Sequence, residues 1–334
     1  MTSWPGEKLL IALWQTLADK GIGALLRPQQ RIRDARAEGD ALRIIAQATK
    51  DAQEILAGNV TVRMDGSTVR LAEPDRARLD ETDPRNRAAI IREVELARQV
   101  RAETNTAKAI AHAVEELRDD PSEPPKDQID EDWLYRWRDA ASNVSAEHLQ
   151  NLWGRVLAGE LRQPGSISLR TLDALRNISK DEAEEIGKAK PFAVSGLIFR
   201  PTASDQRPFP LSQALRLQEL GVLSAVEAMG LSATRGSDQV DKFFNVLLAG
   251  QHALLVETED PRKTYSLPCW LITALGKQLL SLVPPADDIA HLIDLGRHIA
   301  QQGFSVKMGE LAKDANGTLI CRSAKVIEPQ KSAD

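Results

Sequence analysis

Two carboxylates and two histidines recur at steps of four, three and four residues near the end of the chain: Asp287, His291, Asp294 and His298. On a helix this spacing lines one stripe. Imidazole plus carboxylate is a ligand set suited to zinc or a similar divalent ion, and a metal-dependent hydrolase is the chemistry it would serve. Ile289, Leu292, Ile293 and Ile299 fill the opposite face, so the favoured reading is the water-facing side of an ordinary amphipathic helix. No metal and no cofactor is assigned.

Other chemistries have less support. There is no G-x-S-x-G elbow, and neither Cys269 nor Cys321 sits beside a histidine or in a metal-type spacing. The glycines at 21 and 23 lack the preceding strand and the spacing of a nucleotide-binding loop. The chain reads as leaning away from an enzyme. Residues 151–172, "NLWGRVLAGELRQPGSISLRTL", pose a different question, because Gly154 and Gly159 interrupt an otherwise good helix. Glycine costs roughly 1 kcal/mol against alanine there, which points to a neighbouring helix crossing at one of them with Trp153 beside it. Pro164 and Gly165 then turn the chain, and Glu160 is expected to pair with Arg170 across that turn as a structural joint.

The elements that must position these residues are mostly helical. Pro5 opens an amphipathic helix with Leu10, Leu13, Trp14 and Leu17 on one face, and Arg27, Arg31, Arg33 and Arg36 follow. That layout suits an anionic membrane surface or a partner, although packing on a neighbouring helix is the favoured reading. A second helix should end near Gly58, residues 60–71 read either as a small β-hairpin around Asp65-Gly66 or as a disordered insert, and a long helix should run from Pro84 to Leu117. Its seam of Leu96, Val100, Glu103, Ala107, Ile110, Val114 and Leu117 has Glu103 as its flaw. "DDPSEPPKDQ" reads as a solvated linker before a Trp-rich helical domain carrying Trp133, Trp137 and Trp153.

Beyond residue 200 a helix, two strands around a charged turn and a Thr273-capped helix suggest a winged-helix-like α+β module, followed by one more helix and a hairpin. Such a module would present Arg262 and Lys263 at its wing tip to nucleic acid. Residues 205–283 carry seven basic against eight acidic side chains, however, and this balance disfavours a phosphate-binding face. Over the 334 residues, 42% are hydrophobic, 27% are charged and the net charge is -5, so a globular chain with no global attraction to nucleic acid is expected. Two distant cysteines suit a reducing cytoplasm. No stretch is long enough to span a bilayer, and the expected location is the cytoplasm, with a peripheral place at the inner membrane as the alternative.

"LWGRVLAGELRQPGSISLRTLDALRNIS" resembles a segment shared by uncharacterised bacterial proteins grouped as domain of unknown function 2806, and "WPGEKLLIALWQTLADKGIGALLRPQQ" resembles the N-terminus of that family. The pattern is similar, less closely, to helical proteins of the abortive-infection alpha type. The resemblance implies a bacterial protein with a role in defence against phage, and supplies no catalytic residue. The expected fold is mainly α, with an N-terminal helical arm at 1–120, a central helical bundle at 130–200 and the winged-helix-like part at 205–330. The expected function is a non-enzymatic regulator or effector working through homo-oligomerisation and protein or membrane-surface contacts. A winged-helix DNA-binding regulator is the main alternative.

Overall fold

The structure, a computed structural model, describes residues 7–19, 61–65, 68–72, 84–201, 209–227, 231–313 and 319–329. The chain divides into two compact units, Met1–Leu172 and Asp173–Asp334. The fold is not mainly α: about 50% of it is helix and 21% strand, an α+β mix.

The first unit is built on α1 (Glu7–Asp19), α2 (Pro84–Leu117), α3 (Glu131–Ser142) and α4 (Glu147–Arg162), and also holds an antiparallel pair, β1 (Thr61–Asp65) and β2 (Thr68–Ala72). Leu9, Leu10, Leu13 and Leu17 of α1 are buried, and so are Ala107, Ile110, Val114 and Leu117 along the α2 seam. Glu103, the flaw in that seam, forms an ion pair with Arg138 of α3. An acidic seam position is thus matched by a cation on the helix packed against it. Asn105, also buried, donates to the Ser142 carbonyl at 2.9 Å, and Gln150 of α4 donates to the Val144 carbonyl at 3.1 Å. These bonds satisfy polar groups that would otherwise destabilise the bundle.

Of the three buried tryptophans among the unit's described residues, two have a ring N–H bonded to a backbone carbonyl. Trp133 Nε1 donates to the Ile167 carbonyl at 2.7 Å, and Trp137 Nε1 to the Trp153 carbonyl at 2.9 Å. Residues 119–128 connect α2 to α3 within one unit and do not separate two domains. Their prolines stop the helix, but Pro124 and Pro125 are half-buried and Ile129 is buried, so the stretch is part of the packed structure.

The unit boundary falls inside α5 (Leu169–Asn177), earlier than the break expected near residue 200. The second unit continues with α6 (Lys180–Ala189), a 3-10 turn (Lys190–Phe192), β3 (Ala193–Val194), β4 (Leu197–Phe199), α7 (Leu211–Glu219), β5 (Leu223–Ser224) and β6 (Ser232–Arg235). It ends with β7 (Phe243–Ala249), β8 (His252–Thr258), β9 (Tyr265–Ile272), α8 (Ala274–Ser281), α9 (Ile289–Ala300), β10 (Ser305–Lys313) and β11 (Leu319–Val326). One antiparallel sheet runs β11-β10-β8-β7, and a second runs β3-β4-β9-β5 with β6 also on β9.

This topology corrects the wing. The two strands around the charged turn are β8 and β9, but β8 pairs with β7 and β10 whereas β9 pairs with β4, β5 and β6. They belong to different sheets, so no two-stranded wing forms. The period-two side-chain alternation of strands explains how β4 and β9 serve two cores. Leu197, Phe199, Leu267 and Cys269 face one cluster with Leu292, Leu295 and Ile299 of α9, and Ile198, Trp270 and Ile272 face another with Leu217 of α7 and Leu279 of α8.

Candidate functional site

The first unit contains a cleft of about 620 Å³. One wall is a stripe of α1, made of Lys8, Ile11, Ala12, Gln15 and Thr16, and another is the non-helical stretch Pro124 to Ile129. Leu161 and Pro164 at the end of α4 also line it. The stretch is held in place by chemistry at its start. Burial pushes the Asp120 carboxyl up, but bonds from Ser122 and the Arg162 guanidinium outweigh that and hold it below the usual carboxylate range. Lys8 and Glu123 form an ion pair at the rim between two well-exposed side chains, a contact of small energetic weight.

The third wall depends on Glu160, which is only 1% exposed. Its Oε1 accepts from the Gly165 N–H at 2.5 Å, and its Oε2 accepts from the Ile167 N–H at 2.9 Å and the Ser166 hydroxyl at 3.4 Å. Gly165 has φ +81°, a conformation that glycine adopts without steric cost. The carboxylate thus fixes the turn that carries Pro164 into the cleft wall. Burial raises the Glu160 pKa, with the three donors acting in the opposite direction.

Residues 151–172 therefore form a joint, although with a different partner from the expected one. Glu160 does not pair with Arg170: Arg170 is exposed, and the buried carboxylate is occupied by donors of the turn itself. Backbone N–H groups carry no residue-type signature, which is why the sequence points to the arginine. Gly154 is a helix crossing. A Cβ there would lie 2.5 Å from His112 Cβ, 2.8 Å from the Ala109 carbonyl oxygen and 2.9 Å from the Ala113 nitrogen, all on α2. A Cβ at Gly159 would meet nothing within 4 Å. Trp153 is buried beside the crossing.

The remaining candidates fall elsewhere. Leu10, Leu13 and Leu17 are turned into the core and Trp14 is half-buried, so the apolar face of α1 is occupied in this structure rather than presented to a membrane. Arg27, Arg31, Arg33 and Arg36 lie outside the described residues. No described helix is long and apolar enough to cross a membrane. Arg262 is exposed, but Lys263 donates to the Gly303 carbonyl at 2.8 Å and sits 4.5 Å from the Phe304 ring centroid, so the pair is not a free phosphate clamp.

The histidine stripe on α9 is not the solvated face the spacing suggests. His291 is 2% exposed, His298 Nε2 lies 3.0 Å from the Ser266 carbonyl oxygen, Asp294 pairs with Arg297, and Asp287 lies 2.7 Å from His252 Nδ1. Asp287, Asp294 and His298 are thus each engaged with a different partner and His291 is buried apart from them, and no group of three that could hold a metal occurs among the described residues. Nothing in the sequence marks Gln15 and Gln128 as cleft residues, and Pro124 and Pro125 read there as part of a linker. A double proline in "DDPSEPPKDQ" marks a linker and a wall of a cleft equally well.

Residues 89–196 match a family described as "Protein of unknown function (DUF2806)". The matched stretch runs from within α2 to the β3–β4 turn and takes in the Gly154 crossing and the Glu160 joint. It includes the 124–129 wall of the cleft but not α1. No curated protein and no solved structure matches the chain.

Proposed function

We propose that the chain is a non-enzymatic regulator or effector whose first unit holds a segment of a partner protein in the α1 cleft. The observation that supports this reading is the lining. Its described residues are aliphatic side chains, prolines, the amides of Gln15 and Gln128, and Lys8, Lys126 and Asp127, with no histidine or cysteine among them. The one hydroxyl, Thr16 Oγ1, donates to the Ala12 carbonyl at 2.8 Å and so is already engaged within the helix. Such a surface recognises by shape and by a few hydrogen bonds. The volume of about 620 Å³ is in the range of small-ligand pockets and accommodates a short extended peptide. A setting in bacterial defence against phage is inferred from the resemblance of residues 152–179 to abortive-infection alpha-type proteins.

The test is selection of a displayed random-peptide library on the full chain, followed by binding to Ala12→Trp, which fills the cleft. Selected peptides should lose at least tenfold in affinity for the variant. Peptides that bind both proteins equally, or a selection without enrichment, would contradict the proposal.

A further inference from the structure

His291 stands in the first turn of α9, where its backbone N–H is capped by Asp288 Oδ1 at 3.0 Å. Its side chain enters an apolar pocket, with the Phe192 ring centroid at 5.0 Å and that of Phe199 at 5.8 Å. The residue is 2% exposed, and neither ring nitrogen has a hydrogen-bond partner. A buried imidazole that satisfies neither nitrogen contributes little that a phenyl ring would not, and an unpaired buried polar group is costly. What distinguishes it from a phenyl ring is that it can gain a charge.

The surrounding charges do not accommodate that charge. On its own helix, Asp288 is engaged in capping, Asp294 pairs with Arg297, and His298 faces the Ser266 carbonyl. From the 3-10 turn, Lys190 is a cation that donates to the Leu280 carbonyl at 3.0 Å. The neighbouring Asp287 lies 2.7 Å from His252 Nδ1 of β8 and accepts from the Gln251 N–H. β4 contributes Leu197, Ile198 and Phe199, none of which ionises.

We propose that His291 is an acid-operated latch: neutral, it seats the first turn of α9 against the 3-10 turn and β4, and protonated, it releases that turn. Burial pushes its pKa down from 6.5 to about 4, with Asp288 acting weakly in the opposite sense. The released state binds the proton more tightly than the seated one, so acidification favours release. The seated state holds fully above pH 6.5 and is weakened progressively as pH falls toward 4. Between pH 7.5 and pH 5 these two values correspond to an increase of about 30-fold in the opening equilibrium.

The test is hydrogen exchange on the full chain at both pH values, corrected for intrinsic rates and read in residues 189–199 and 286–300. The opening constant should rise about 30-fold in the wild-type chain and stay nearly flat in His291→Phe. If that variant misfolds, the nuclear-resonance titration of the His291 ring decides alone. A ring that resists protonation until the segment opens supports the latch, and one that titrates near 6.5 in a closed segment overturns it.

Discussion

Replacing Glu160 by glutamine keeps the shape of the side chain and changes one oxygen into an NH2 group. In the wild-type chain both carboxylate oxygens are accepting, one from Gly165 and the other from Ile167 and Ser166. Whichever way the amide is turned, one backbone N–H then faces a donor inside a site that is 1% exposed. An unsatisfied buried donor costs about 1–3 kcal/mol, which for a unit of this size lowers the melting temperature by about 2–12 °C. Chemical denaturation followed by Trp fluorescence measures the free energy, and amide exchange at 163–168 locates the loss. Arg170→Ala is the necessary companion, and its exposed side chain predicts a change within about 0.5 kcal/mol. A harmless Glu160→Gln together with a damaging Arg170→Ala would refute the turn-capping geometry and restore the ion pair that the sequence suggests.

Gly154→Ala should destabilise the first unit by about 1–3 kcal/mol, because its Cβ would press on the α2 backbone, which cannot swing aside. Gly159→Ala, with open space around it, should stabilise by about 0.5–1 kcal/mol, and paired denaturation curves compare the two. Tyr265→Phe should cost about 1 kcal/mol in the second unit, since the buried hydroxyl donates to Asn245 Oδ1 at 2.6 Å, and urea melts measure this.

Where local chemistry decides a structure, the sequence is explicit. Ser179 and Glu182 form the capping box their spacing implies, and Thr273 caps α8 through the Gly276 N–H at 2.9 Å. The break at Pro164-Gly165 and the close approach at Gly154 follow from the backbone properties of proline and glycine. Pairings between distant strands are another matter. "FFNVLLA" has no polar alternation in its sequence, yet in β7 it buries every second residue, and "AVSGLIF" is too short to stand out before β9 pairs with it. The same blindness affects β8 and β9, which look like a hairpin because they are adjacent in sequence and end up in separate sheets.

The candidate site was legible only in part, for a related reason. The α1 stripe of Ile11, Ala12 and Gln15 lies on the polar side of a helix whose leucines draw attention, and another wall comes from residues more than a hundred positions later. His291 counts as a polar position in any periodicity analysis, so its burial against Phe192 and Phe199 is a tertiary fact with no local trace. Glu103 shows the converse: an apparent defect in a heptad seam is explained once Arg138 is packed across from it.

Peptide capture by the α1 cleft is tested most directly by calorimetric titration of a library-selected peptide into the wild-type chain and into Ala12→Trp. Saturable one-to-one binding to the wild-type chain and at least a tenfold loss on filling the cleft are expected. Equal affinity for the two proteins would contradict capture by the cleft, since the peptide would then be recognised somewhere other than between α1 and Pro124–Ile129.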